Sequence, residues 1–329
     1  MVYLDNAATS YPKAPGVASA MADYVEKVGA TINRSSYASA QEAGLVTLSL
    51  RERLCRLFNH PDPTHAVLTP GATAGLNMVI KGLLRPGDHC LVSSMEHNAV
   101  MRPLVQLERE GVAFERIPSD AQGCLRLEAL PGMIKLNTRL VVMAHGSNVC
   151  GTVKDAEAVG KICRERGAPF ALDAAQTAGH IEVDFERFGL SALVVPGHKG
   201  LLGPQGIGAL LLDADFARRL TPLVAGGTGS ASDSEELPGW MPDRFESGTP
   251  NLPGIYGWEA ALRWIEETGV EKLASHEKAL TARFLDGVSA LKNVRLYGPR
   301  TTEGRTGVIS LGFTGCDNAD AAWRLEREH

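Results

Sequence analysis

Between about residues 65 and 212, short apolar runs alternate with stretches whose apolar residues recur at helical spacing. Residues 65–69, 90–93 and 140–144 read as strands, as do 170–172, 193–195 and 207–212. Between them, the spacing predicts helices over 72–84 and 99–110, and a third that Asp155 caps and that runs to about Arg166. The strands lack the in–out alternation of a half-exposed sheet, so both faces are expected to be covered. Strand–helix alternation then predicts an α/β fold with a mostly parallel sheet and right-handed crossovers. Residues 226–253 are rich in Gly, Ser and Pro and read as a loop. Helical spacing returns over 255–267 and 270–291, and residues 293–296 and 308–313 read as strands of a smaller α+β unit. There is no internal repeat.

Composition narrows the function classes. With 329 residues, of which 44% are hydrophobic and 22% charged, the chain is an ordinary globular protein with room for more than one domain. A net charge of −5 gives no footprint for nucleic acid or an anionic membrane. No apolar run approaches the ~18–20 residues that span a bilayer. The start, Met1-Val2-Tyr3-Leu4-Asp5-Asn6, carries no secretory pattern, so a cytoplasmic location is expected. The six cysteines form no CxxC pair and no metal-ligand spacing, so all are read as small hydrophobes, with no disulfide framework and no metal.

The chemistry-bearing residues cluster just after the apolar runs, where open α/β sheets hold their ligands: Thr73, His97, Asn148, Asp173, Gln176 and Lys199. Lys199 follows an apolar strand and precedes a glycine-rich turn, and Asp173 ends another such run. A lysine and an aspartate so placed suit pyridoxal 5'-phosphate (PLP), the lysine as Schiff-base amine and the aspartate as partner of the protonated pyridine nitrogen. Gly71-Ala72-Thr73 opens a helix, whose N–H groups and dipole suit a phosphate, with His198 as a second donor. Asn148 and Gln176 suit the cofactor's phenolic oxygen. His97 could lie on the ring or move protons, although a lone histidine is more often a surface residue.

Taken in order, Tyr3-Leu4-Asp5-Asn6-Ala7-Ala8-Thr9, Gly71-Ala72-Thr73, Glu96-His97-Asn98, Ser147-Asn148, Asp173-Ala174-Ala175-Gln176, Gly197-His198-Lys199 and Arg244-Phe245-Glu246-Ser247-Gly248-Thr249-Pro250-Asn251 resemble the class V aminotransferase family of fold-type I PLP enzymes. Within it they resemble the cysteine desulfurases and selenocysteine lyases. The resemblance implies a large PLP-binding domain over 16–253, with a mostly parallel mixed sheet sandwiched by helices. It would follow an N-terminal segment, 1–15, and precede a smaller α+β domain, 254–329, incomplete relative to the family. Lys199 would carry the internal aldimine, His97 would stack on the ring and Asp173 would pair with its nitrogen. Gln176 and Asn148 would contact the phenolic oxygen, and Ala72, Thr73 and His198 the phosphate. Thr249 would reach the phosphate of the other subunit in a homodimer, and Asn33 and Arg34 would lie near the substrate.

Two departures from the family stand out. Pro196 occupies a position where relatives carry a phosphate-binding serine. The chain also stops at His329, before the loop that holds the desulfurases' persulfide cysteine, and Cys316 does not match that cysteine and is read as structural. The expected reaction is removal of sulfur from L-cysteine to give L-alanine, with the sulfur passing to an acceptor protein. A selenocysteine lyase, another class V aminotransferase or β-lyase, and a non-catalytic PLP-fold remnant remain as alternatives. A nucleotide-binding protein does not fit, because neither G-x-G-x-x-G nor GxxxxGK[ST] occurs.

Overall fold

The computed structural model describes residues 2–33, 36–231 and 233–328. In chain order its elements are α1 (Val17–Asp23), α2 (Ala38–Phe58), β1 (Ala66–Thr69), α3 (Ala72–Leu83), β2 (His89–Ser93), α4 (Asn98–Glu108), β3 (Ala113–Ile117), α5 (Leu130–Met133), β4 (Thr138–Ala144), α6 (Ala156–Glu165), β5 (Phe170–Asp173), β6 (Ala192–Pro196) and β7 (Gly208–Leu212). There follow α7 (Ala214–Arg219), α8 (Leu252–Thr268), α9 (Val270–Ser289), β8 (Val294–Tyr297), β9 (Ser310–Phe313) and α10 (Asn318–Glu328).

Seven strands form one mixed sheet in the order β1-β7-β6-β5-β4-β2-β3. The run from β3 to β6 is parallel, while β7 pairs antiparallel with both β6 and β1. Two reversals restore the original sense, so β1 points the same way as β6. The C-terminal ends of β1, β2, β4, β5 and β6 therefore open on one edge of the sheet.

Successive strand residues feed opposite faces, and both faces are apolar. Leu91, Val141, Phe170, Leu193 and Leu211 join the core beneath α2, α6 and α8. Their neighbours Val92, Val142, Ala171, Val194 and Leu210 join the core beneath α3, α4 and α7. The expected helix over 72–84 is α3, and Asp155 caps α6 by accepting from the Ala158 N–H at 2.9 Å. The second sheet is the β8–β9 hairpin pair, which follows α9. No helix among the described residues is long and apolar enough to cross a membrane.

The expectation for the cysteines holds for four of them. Cys55, Cys90, Cys150 and Cys163 are buried, whereas Cys124 and Cys316 are exposed. Cys316 lies in the exposed turn between β9 and α10 and has no packing role, which corrects its reading as structural.

Candidate active site

The edge to which the strands deliver their C-termini carries a buried acid and a nearby amine. Asp173 is the last residue of β5 and only 4% exposed. Its Oδ1 accepts from the Ala175 N–H at 2.9 Å, and its carbonyl accepts from the His145 N–H at 2.8 Å. Burial pushes its pKa up, while the Ala175 bond and the Lys199 charge pull the other way. Lys199, half-buried just beyond β6, is the complementary group: burial pushes its amine pKa down and the charge of Asp173 opposes that.

Close packing shapes the Lys199 loop. The Gly203 N–H donates to the Gly197 carbonyl and the Leu202 N–H to the Lys199 carbonyl, both at 2.8 Å. A Cβ on Gly200 would lie 2.3 Å from the Ala178 carbonyl oxygen, and one on Gly203 would lie 2.5 Å from the Trp258 indole. The N-terminal segment closes over the loop. The His198 carbonyl accepts from the Ser10 N–H at 2.9 Å, the Ser10 Oγ at 3.1 Å, the Thr9 Oγ1 at 3.2 Å and the Lys13 Nζ at 3.0 Å. Buried Gln176 donates through Nε2 to the Ala7 carbonyl at 3.1 Å, so its amide also holds this segment.

Three further groups face the same edge. Gly71 is the N-cap of α3, and no side chain caps that end; Ala72 and Thr73 form its first turn, with Thr73 exposed. His198 holds Nδ1 buried with no hydrogen-bond partner, and burial together with the charges of Lys199 and Lys13 lowers its pKa. His97 caps α4, its Nδ1 accepting from the Ala99 N–H at 3.0 Å, which leaves Nε2 as the donor nitrogen of a neutral ring. An uncapped helix start, an unpartnered buried imidazole nitrogen, and a buried carboxylate beside an amine fit a ligand with a phosphate, a basic ring nitrogen and a carbonyl. PLP has all three, and these residues fit it.

Of the remaining expected residues, those described are exposed. Asn148 is exposed in the turn after β4. Asn33 and Thr249 are both exposed and share a small cleft with Thr31, Thr228 and Asp243. The backbone at Asn33 is left-handed, with φ 62°. Arg34 lies outside the described residues. The Thr249 loop is pinned by Glu246, which pairs with buried Arg51 at 2.7 and 2.8 Å and accepts from the Leu68 N–H at 2.6 Å. No group of three or more His, Cys, Asp or Glu among the described residues could hold a metal ion.

Sequence reasoning missed Lys13, Glu96 and Lys154. Glu96 lay inside a quoted motif without a role. Lys154 is held by the carbonyl of Ala144, and Lys13 joins its near neighbours Thr9 and Ser10 to the distant His198 carbonyl, a contact that only the fold creates.

The class-V aminotransferase family model matches residues 2–329. A probable cysteine desulfurase of Pyrococcus abyssi is 33% identical over 100% of this chain and 82% of its own length. A cysteine desulfurase of Klebsiella pneumoniae is 32% identical over 95% of this chain and 78% of its own. Among solved structures, the apo cysteine desulfurase of Thermococcus onnurineus superposes with a TM-score of 0.93 at 32% identity, covering 99% of this chain and 82% of that one.

Proposed function

The chain belongs to the class V aminotransferase family of PLP-dependent enzymes, and we propose from that premise that it is a cysteine desulfurase-like enzyme taking sulfur from L-cysteine to leave L-alanine. The observation that carries this reading is the placement of buried Asp173 at the end of β5 and of half-buried Lys199 just beyond the adjacent β6, where the charge of each bears on the other. The names of the relatives support the substrate.

Lys199, Asp173, His97, Gln176, Asn148, His198, Ala72 and Thr73 would hold the cofactor. When bound, PLP supplies an aldehyde for exchange between amines and a ring that draws electrons from the substrate's α-carbon. Asp173, desolvated on the sheet edge, supplies the negative charge that favours a protonated ring nitrogen. Burial lowers the pKa of the Lys199 amine, which favours the neutral form that a general base requires. His97 is held by the Ala99 N–H, with Nε2 left to donate a hydrogen bond. His198 would offer Nδ1 as a phosphate donor, and the uncapped α3 start would add backbone N–H groups. The net reaction conserves electrons if a thiol acceptor takes the sulfur: cysteine and an acceptor thiol give alanine and an acceptor persulfide. A sulfur-acceptor protein is the natural partner for such a group.

Thr249 and Asn33 share a cleft outside the Asp173–Lys199 cluster. Their place supports a homodimer in which this cleft completes the partner's site, with Asn33 and Arg34 toward the substrate. The division into a segment over 1–15, a large domain over 16–253 and a small domain over 254–329 accompanies this reading.

The test is to load the chain with PLP, add L-cysteine and dithiothreitol, and quantify alanine and sulfide. Equal amounts of both support the reading; a keto acid in place of alanine, or no turnover, contradicts it.

A further inference from the structure

Beside the candidate site lie a buried lysine, Lys154, and a carboxylate, Glu96, that the reaction as described does not use. Lys154 is 3% exposed, and its Nζ donates to the Ala144 carbonyl at 2.8 Å. Glu96 is half-buried: its two oxygens accept from the Ala144 N–H at 2.9 and 3.1 Å, and one also accepts from the Ser93 hydroxyl. Both charges therefore sit on the backbone of one residue. Ala144 is the last residue of β4 and the register partner of Asp173 on β5. This pair and Asp173 thus meet at the end of two adjacent strands.

Buried Asp173 and half-buried Glu96 share this region with two lysines, and an unpaired buried charge is costly. Lys199 bears on Asp173, whereas Lys154 bears on both Asp173 and Glu96. The other titratable groups facing Lys154 are Cys150 and Cys124, and it also bears on His145. Burial pushes Glu96 up to about 7, so its charge is poised near neutral pH, with the Ser93 bond and Lys154 holding it down. Burial lowers Lys154 itself, and Glu96 opposes that most strongly.

The charge of Lys199 cannot be constant if it acts as the anchoring amine and then as a base, so the balance at Asp173 would change within each cycle. We propose that Lys154 is a positioning residue of this site: its ammonium, anchored on the Ala144 carbonyl, is the fixed positive charge that keeps Glu96 and Asp173 ionised while Lys199 changes its own. This rests on the PLP reading for its role in the reaction, but the charge relationship itself is a property of the protein alone.

The first measurement uses the full chain without added PLP. Infrared absorption of protonated carboxylic acids is compared at pH 8 in the wild type, Lys154→Met and Lys154→Arg. The expected result is one additional protonated carboxyl in Lys154→Met, abolished by adding Glu96→Gln or Asp173→Asn and absent from Lys154→Arg. The same carboxyl signal in all three chains overturns the proposal. If Lys154→Met fails to fold, the double variant Lys154→Met/Glu96→Gln decides: recovery of folding supports a charge-pairing role, and continued failure overturns it. With PLP and cysteine, the acid limb of the kcat profile in Lys154→Met should move up by about one pH unit, a tenfold loss at a fixed acidic pH, and Lys154→Arg should restore it. An unmoved limb overturns the catalytic role. If the wild type has no turnover, the function proposed above fails, and the infrared result still decides the charge relationship.

Discussion

His180 Nδ1 lies 2.7 Å from Glu277 Oε2, and this contact ties the turn after β5 to helix α9. The other ring nitrogen, Nε2, faces the Gln176 carbonyl at 3.0 Å. Acceptors on both sides favour the doubly protonated ring. Glu277 also accepts from the Gly307 N–H at 2.7 Å, so the contact reaches the segment before β9.

This pair makes stability depend on pH. Burial alone would lower His180 and raise Glu277, but their mutual hydrogen bond and charge outweigh it, leaving His180 above its ordinary 6.5 and Glu277 below its ordinary 4.5. The histidine's contribution is complete below 6.5 and is lost as pH rises through its raised folded-state value. The glutamate's is complete above 4.5 and is lost as pH falls through its lowered one. Glu277→Gln should therefore cost about 1–2 kcal/mol between those values, and less above the raised histidine pKa. Thermal unfolding of both chains across pH checks this; a difference independent of pH contradicts it.

Lys13 holds the N-terminal segment on the Lys199 loop. Its ammonium donates to the Thr9 hydroxyl at 3.1 Å, the Ser10 hydroxyl at 3.2 Å and the His198 carbonyl at 3.0 Å, one acceptor for each of its protons. Lys13→Met should cost about 1–2 kcal/mol of local stability. Amide exchange over residues 5–14 should quicken several-fold, with the core strands unchanged.

Gly200 has no room for a side chain. Gly200→Ala places a methyl 2.3 Å from the Ala178 carbonyl oxygen, so the loop or the turn must move. A cost of about 1–3 kcal/mol is expected. Gly132→Ala, where nothing lies within 4 Å, should be tolerated without loss. Urea unfolding of the two variants provides the comparison.

Arg51 and Glu246 form a two-point ion pair with 7% and 15% side-chain exposure. Arg51 also donates to the Ala66 carbonyl, tying α2 to β1 and to the Thr249 loop. Glu246→Ala strands the guanidinium, at a cost of about 3 kcal/mol. A loss well below 1 kcal/mol in urea unfolding would show that water already screens the pair.

Much of the sheet was legible because its inner strands are apolar on both faces and give way abruptly to polar or glycine-rich turns. Lys199 and Asp173 stood out for the same reason. Helix α2 was not read: it buries Ala43, Leu50, Leu54 and Phe58 while exposing Leu45 and Leu48, which blurs a single apolar stripe. Strand β3, at the sheet edge, carries Glu115 and Arg116 and looks polar. Helix α10 buries none of its described residues and gave no periodic core signal. Lys154 reads as a surface lysine beside Asp155, and only the fold puts it under Ala144.

The central claim is that Lys199 is the amine that binds PLP. The chain would be incubated with PLP, reduced with borohydride and mapped by peptide mass spectrometry. The expected result is a phosphopyridoxyl adduct on the peptide containing Lys199, absent from Lys199→Ala and weakened in Asp173→Asn. No adduct, or one on Lys13 or Lys154 in place of Lys199, would contradict the assignment of this site.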